Sequence, residues 1–455
     1  MKVLGIYTFE ALFSDKLCKL PIFSFHHIPL GLTAILTEIE NKNNIVETLA
    51  ISQYTNIDIV IKSCEIDAYD LICFTSVTTQ IELVYKTARK IRKFNKYAKI
   101  IIGGPHATLC PEDVIKHKEF DALCIGEGFK TIHSYIDYLK GKNSINEVPG
   151  FWIRQNQTIV KNEKANFSNF AEFPIVNRKL WNKWVKDHSF HMVIILRGCS
   201  NNCSFCSNHK LRKCNFGEYI SFRKIEDIVQ EIKFIIEQYK DIQTIHLEAE
   251  SFAMNLEFTY ALFKALRIFN NIVKFSFNIH LAKEVQKDIN NFIIALKLIN
   301  VNFICIGLES GSYRIRKRIL HRPDYTNYEF IKFCRTLTRH NISVNVMTML
   351  GLPTETEKNL KQTVSILKKI NPYKISHSIF FPLKNTDIYD AMIKMNLITA
   401  KTKLNPYRER KTARISYPGL PKETIQKYFN YLTAIVDKKR HLLVEKQLYG
   451  NNNTF

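Results

Sequence analysis

The stretch Arg197-Gly198-Cys199-Ser200-Asn201-Asn202-Cys203-Ser204-Phe205-Cys206 places three cysteines within eight residues, directly after the apolar run 191–196, which has the pattern of a buried strand. Thiolates this close can all face one soft metal centre, because a tight loop brings their sulfurs together without long-range folding. Iron–sulfur clusters normally take four cysteines, so a Cys-x3-Cys-x2-Cys triplet with no fourth partner at hand leaves one iron open to another ligand. Two other readings of these thiols exist: a structural zinc site completed by His209, or inert buried cysteines. Structural zinc sites usually come as paired knuckles of Cys-x2-Cys or His-x3-His type, which are not found here, and Cys214 is not at knuckle spacing.

Outward from that loop, the 455-residue chain is long enough for two or three domains, each with its own core. Hydrophobic residues at 46% and charged residues at 24% are ordinary for a globular chain, so disorder is expected only in the tail 450–455. Residues 1–7 read as a first strand and not as a signal peptide, since the apolar run is short and Glu10 soon follows. No window reaches the roughly 18 uncharged apolar residues of a membrane span, and a cytoplasmic location is expected. An odd count of 11 cysteines, several in strand-like runs (Cys73, Cys124, Cys305), argues for reduced thiols over a disulfide framework. The net charge of +23 raises nucleic acid as a partner, but Lys and Arg are spread over many helical patterns, which argues against it. Attraction of an acidic small-molecule or peptide substrate remains open.

Residues 1–145 alternate apolar runs (3–7, 46–51, 71–76, 99–103, 122–126) with helical periodicity (30–39, 81–94, 131–139). Such βαβ alternation implies a parallel sheet covered by helices, with ligands beyond the carboxyl ends of its strands. Small and hydroxylated residues gather at those ends: Ser76, Val77, Thr78 and Thr79; then Gly103, Gly104, Pro105, His106, Ala107 and Thr108; then Gly126, Glu127 and Gly128. Glycines there let backbone approach a bulky ligand closely. Residues 146–187 break into short pieces punctuated by Pro149-Gly150 and Phe173-Pro174, which reads as a linker. From 188 to 385 the alternation resumes, with helical patterns at 225–239, 258–269 and 283–298 and strand runs at 244–247, 274–279 and 303–308. Repeated βα units imply a full or partial parallel barrel with its active site at the carboxyl ends of the strands, the position of the cysteine loop. Residues 386–455 read as a mostly helical extension.

On these residues the chain resembles the radical SAM enzymes that carry a cobalamin-binding domain, of the class B methyltransferase-like kind. The triplet is similar to the family loop, in which Cys199, Cys203 and Cys206 would hold a [4Fe–4S] cluster and the open iron would be chelated by S-adenosylmethionine. In that family an aromatic residue at the place of Phe205 flanks adenine. Glu250 matches an acidic residue that meets the methionine amino group; Ala249 stands where Asp is usual, so Glu248 is an alternative. Asn278, and Glu309 with Ser310 in Gly307-Leu308-Glu309-Ser310-Gly311, resemble ribose- and carboxylate-contacting elements, while Glu309 could instead cap a helix or pair with Arg314. Gly351, Leu352 and Pro353 resemble the strand-to-helix loop near adenine, and Thr354 with Glu357 reads as a capping box.

The first 140 residues resemble the cobalamin domain that precedes many radical SAM domains, on Pro29-Leu30-Gly31-Leu32, Thr75-Ser76-x-Thr78, 102–108 and Gly126-Glu127-Gly128. The resemblance implies an α/β fold: a flavodoxin-type, Rossmann-like cobalamin domain (1–145), a linker (146–187), a partial (β/α)6 TIM-like barrel (188–385) and a C-terminal helical extension (386–455). Leu30, Gly31, Ser76, Val77, Thr78, Thr79, Gly103, Gly104, His106, Ala107, Thr108, Gly126, Glu127 and Gly128 would contact cobalamin. The first loop has no Asp-x-His-x-x-Gly motif, so cobalt is expected without a histidine from this domain; His26, His27 and His106 read as hydrogen-bonding loop residues. The implied activity is oxygen-sensitive: reductive cleavage of S-adenosylmethionine to a deoxyadenosyl radical, with methylation of an unactivated carbon or phosphorus and a flavodoxin or ferredoxin as electron donor. Cyclisation or rearrangement without methyl transfer is the alternative within the family. A basic zinc-containing nucleic-acid-binding protein is the alternative outside it. Methylthiolation fits less well, because these residues include no second N-terminal cysteine triplet.

Overall fold

The computed structural model describes residues 1–10, 27–399, 402 and 410–449, the last helix from residue 437 by backbone alone. The first sheet contains β1 (Lys2–Phe9), β2 (Ile45–Ser52), β3 (Leu71–Thr75), β4 (Lys99–Gly103) and β5 (Ala122–Cys124), parallel and in the order β2-β1-β3-β4-β5. β1 and β4 are almost uninterrupted runs of buried apolar residues, as strands covered on both faces must be. The order reverses at β1, and in a doubly wound sheet of this order the crevice at the β1/β3 switch point is the natural ligand site. The helix Ile81–Phe94 shows how the cover forms: Ile81, Val84, Tyr85, Ala88 and Ile91 recur every three or four residues and are buried, while Arg92 and Lys93 fill its last turn.

Two further strands, β6 (Phe151–Gln155) and β7 (Thr158–Lys161), extend the β5 edge antiparallel. The remainder of the segment read as a linker is anchored too. Trp181 donates its indole N–H to Thr33 Oγ1 at 2.9 Å, and Trp184 donates to Thr48 Oγ1 at 3.1 Å. Both indoles therefore bury their apolar bodies against the first sheet with their polar atoms satisfied.

Next come β8 (Phe190–Ile194), β9 (Leu196–Arg197), β10 (Ser221–Phe222) and β11 (Thr244–Phe252), with β8 parallel to β11 and β9 antiparallel to β10. The helix Ile225–Gln238 is tied down by Glu231, which pairs with Arg178 and Arg223 at 2.6 Å each. The chain divides into two compact units: Met1–Ser200 with Cys206–Glu250 and Leu383–Asn385, and Asn201–Phe205 with Ser251–Pro382 and Thr386–Phe455.

In the second unit β12 (Lys274–Ile279), β13 (Val301–Glu309), β14 (Ser343–Leu350) and β15 (Lys374–Ile379) pair in sequence, all parallel. The end of β11 belongs here, where Phe252 stacks on Phe277 with ring centroids 4.0 Å apart. Between the strands run the helices Leu256–Leu266, Ile289–Leu298, Asn327–Arg339 and Glu357–Ile370. The last begins at a capping box of Thr356 and Asn359. That corrects the expected Thr354–Glu357 box: Thr354 adopts φ +60° inside the preceding turn and leaves the cap to the next threonine. The helix Lys422–Tyr449 follows the barrel-type strands, and the Arg410 carbonyl accepts the Ile379 N–H at 2.8 Å. Among the described residues no helix is long and apolar enough to cross a membrane.

Candidate functional site

The loops after β3, β4 and β5 are stitched together by the residues that the sequence places there. Ser76, fully buried, donates its hydroxyl to the Gly103 carbonyl at 2.7 Å and accepts the His106 N–H on its own carbonyl at 3.0 Å. Thr108 accepts the Gly126 N–H at 3.0 Å. Gly104 sits at φ +91°, where a Cβ would come within 2.8 Å of the Ser76 nitrogen, so only glycine closes this contact without strain. His106 is 3.0 Å from Thr78 Oγ1 through Nδ1, and burial lowers its pKa to about 4, which keeps the ring neutral at physiological pH. Thr79 lies in the 3-10 turn Thr78–Gln80 behind the loops, and Val77 is exposed. His26 lies outside the described residues.

In front of this framework lies a cavity of about 290 Å3 within the first unit. Gly31, Gly103, Gly104, Gly126, Glu127 and Gly128 line it, with Phe129, Phe170 and Phe173 as aromatic wall. Leu30, Ser76, Val77, Thr78, Thr79, His106, Ala107 and Thr108 are not among the residues that line it. At its other side stand Arg197 and Glu250. Glu250 Oε2 accepts the Gly198 N–H at 3.0 Å, immediately before Cys199. The carboxylate opens onto the cavity yet is enclosed enough that burial raises its pKa, with two backbone N–H bonds opposing. Glu248 faces His246 at 3.3 Å instead, so of the two acids Glu250 is the one in the cavity.

The second unit gathers the other expected contacts. β13 shifts register between Gly307 and Glu309, and Glu309 then takes a left-handed φ of +60°. Its carboxylate pairs with Arg322 at 3.4 Å, not with Arg314, which bonds the Thr354 carbonyl at 2.7 Å. Burial raises the Glu309 pKa against the pull of Arg322. Ser310, fully buried, donates to Glu355 Oε1 at 3.3 Å, while Glu355 Oε2 accepts the N–H groups of Gly351 at 2.8 Å and Leu352 at 3.1 Å. One carboxylate thus joins the β13 and β14 ends, with Pro353 buried beside it. Asn278 is half-buried on β12, paired in register with Cys305.

Cys199 and Cys203 are buried and Cys206 is half-buried, as is Phe205. Ser204, between the last two cysteines, is held by the Leu320 carbonyl at 3.0 Å through its N–H and by the Ile319 carbonyl at 2.5 Å through its hydroxyl. Arg322 Nη1 lies 3.9 Å from Cys203 Sγ, a donor aimed at the sulfur. Among the described residues no three His, Cys, Asp or Glu side chains converge as ligands of a single metal ion; a cluster makes no such demand, since each thiolate takes its own iron. Soft thiols on a partly buried loop fit an iron–sulfur cluster, and the glycine-lined cradle fits a bulky ligand pressed against backbone. Arg197, Arg322 and Glu355 were not singled out by sequence reasoning. Arg197 beside the Gly-Cys step and an acid just past a Gly-x-Pro turn were the available signals; Arg322 offered none.

Residues 193–367 match the family model of the radical SAM superfamily and residues 23–135 that of the B12 binding domain. The chain joins a B12-binding domain to a radical SAM domain. The same architecture occurs in TsrM, a radical S-adenosylmethionine methyltransferase from Kitasatospora setae solved with cobalamin and a [4Fe–4S] cluster, at TM-score 0.73 and 13% identity over 95% of this chain and 90% of that one. OxsB, a cobalamin-dependent S-adenosylmethionine radical enzyme solved with aqua-cobalamin, matches at TM-score 0.73 and 17% identity over 100% of this chain and 74% of that one. An uncharacterized methyltransferase of Pyrococcus horikoshii is 24% identical, covering 81% of this chain and 79% of its own. The tRNA-2-methylthio-N(6)-dimethylallyladenosine synthase of Clostridium tetani is 28% identical over 44% of this chain and 43% of its own. The radical SAM domain brings a [4Fe–4S] cluster and S-adenosylmethionine as cofactors, and the B12-binding domain brings cobalamin.

Proposed function

We propose that this enzyme methylates an unactivated carbon, or phosphorus, of its substrate, with Cys199, Cys203 and Cys206 holding the cluster. One observation carries the reading: a single cavity is lined both by the turns at 103–104 and 126–128 and by Arg197 and Glu250 beside the cysteine loop. When bound, the cluster and S-adenosylmethionine supply a carbon-centred radical that removes hydrogen, and cobalamin supplies a methyl group. The protein's part is placement. Phe205, Glu250, Asn278, Glu309, Ser310, Gly351, Leu352 and Pro353 would orient S-adenosylmethionine. The fourteen loop residues from Leu30 to Gly128 named above would hold cobalamin, directly or from behind. Phe129, Phe170 and Phe173 give the cavity an apolar wall, of the kind that would limit water around reactive species and strengthen polar contacts.

In this reading residues 1–145 form the corrin domain, 146–187 the connection, 188–385 the catalytic domain and 386–455 an extension. A cytoplasmic flavodoxin or ferredoxin serves as electron donor. The naming of the Pyrococcus relative and of TsrM as methyltransferases supports the choice of reaction. Anaerobic protein reconstituted with iron and sulfide, given cobalamin, reductant and S-adenosylmethionine labelled in its methyl group, is expected to release deoxyadenosine together with S-adenosylhomocysteine. Deoxyadenosine and labelled methionine without S-adenosylhomocysteine or a labelled product would refute methyl transfer and favour rearrangement. Cys199→Ala, Cys203→Ala and Cys206→Ala are each expected to abolish both products and the brown colour of the cluster.

A further inference from the structure

Arg197 stands two residues before Cys199, and Glu127 is the middle residue of the turn Gly126-Glu127-Gly128 at the edge of the cavity. Their side chains form an ion pair with exposures of only 9% and 12%. Further bonds fix both ends. Glu127 Oε2 accepts the Ser168 N–H at 2.8 Å, and Arg197 donates through Nε to the Tyr219 carbonyl at 2.9 Å and through Nη2 to the Glu218 carbonyl at 3.3 Å. The guanidinium also lies over the Phe167 and Phe170 rings, 4.9 and 5.3 Å from their centroids. With both carboxylate oxygens engaged by protein, Glu127 serves Arg197 and the backbone before it serves any ligand.

The turn has no slack. Gly126 adopts φ +82°, and a Cβ there would fall 1.7 Å from Asn215 Oδ1, downstream of Cys206. Its N–H is held by Thr108. A bulky ligand pressing on the turn must therefore move the Glu127 carboxylate. That carboxylate carries with it a guanidinium whose backbone begins the cysteine loop. A buried pair has few substitute partners, so displacement is passed on and not absorbed.

We propose that Glu127 and Arg197 are positioning residues that couple occupancy of the corrin cradle to the set of the Cys199 loop, so that cobalamin binds cluster-loaded and cluster-free protein with different affinity. The inference rests on the cofactor placement proposed above, and linkage requires the coupling to be felt from either side. Titration of the anaerobic full chain with hydroxocobalamin, followed by its visible spectrum, reads the affinity before and after reconstitution with iron and sulfide. Wild-type protein is expected to bind at least about fivefold more tightly when loaded, and in Glu127→Gln that ratio falls below about twofold while both cofactors still load. Arg197→Lys keeps the charge without the planar fork and gives an intermediate ratio. Because each variant is compared with itself, a general loss of stability does not produce this pattern. A wild-type ratio near one, or an unchanged ratio in either variant, overturns the coupling and leaves the proposed function standing. Wild-type protein that takes up no corrin sinks both.

Discussion

Glu355 shows how much one side chain can organise. Fully buried, it accepts two backbone N–H bonds and a serine hydroxyl, and burial raises its pKa to about 7. A carboxyl whose folded pKa lies above its unfolded value contributes stability that is complete below about 4.5 and is lost as pH rises through 7. Glu355→Gln keeps an acceptor for the N–H groups and removes that ionisation. Its stability relative to wild type, measured by urea unfolding, is expected to improve between pH 4.5 and 8 by up to about 3 kcal/mol. Gly104 is the complementary case, where the absence of a side chain matters. Gly104→Ala must push a methyl into the Ser76 backbone at a positive φ. It should lose about 1–3 kcal/mol of stability in denaturant titrations and bind hydroxocobalamin more weakly. The need for glycine was legible locally, since Gly-Gly after a strand admits close backbone approach. The partners of Glu309 and Glu127 were not, because Arg322 and Arg197 reach them only once separate elements have folded.

Among the elements, the helix Ile225–Gln238 carries the deepest charge cluster. Glu231 faces Arg178 and Arg223, with all three side chains at most 1% exposed, and the Met192 and Ile194 carbonyls of β8 accept further bonds from the two arginines. Glu231→Ala leaves two cations without their counter-ion, and chemical unfolding should show a loss of about 3–5 kcal/mol, far above a surface pair. Strands β1 to β5 and the helices Leu30–Glu40, Ile81–Phe94 and Ile132–Leu139 were readable because apolar runs and 3.6-residue periodicity report directly on burial, whereas the short helices Ile57–Ser63, Pro105–Leu109 and Pro111–Val114 were not read. Nor were β6 and β7. Each is four or five residues long, and β6 borrows its pairing from β5 and β7 from β6, so the segment read as punctuation. The capping box moved by one threonine for a similar reason: the positive φ at Thr354 is imposed by the Gly351 turn and Glu355, which no local pattern discloses.

For the whole molecule, the net charge of +23 has a kinetic meaning even without a stripe of basic residues. An acidic electron donor, as proposed, would be drawn in by the summed field, and that field is screened as the Debye length shrinks from about 30 Å to about 3 Å between 0.01 and 1 M salt. Turnover driven by an acidic flavodoxin is expected to fall severalfold over that range, while turnover driven by a small neutral reductant stays level; equal salt responses would count against steering. At this scale two successive βα modules and a cysteine loop at a strand end were visible in sequence. The cavity shared by the corrin-type turns with Arg197 and Glu250 was not, since its walls come from segments far apart in the chain.

Cys73 and Cys124 line that cavity, and burial pushes both thiols up to about 12. At neutral pH both therefore stay protonated, and a protonated thiol is a poor nucleophile and a slow target for oxidants. The proposed corrin cradle is thus padded with sulfur that resists air far better than the proposed iron-holding loop would. Aerated protein that has bleached should still keep an intact berth for B12, and rebuilding the iron centre alone should restore it.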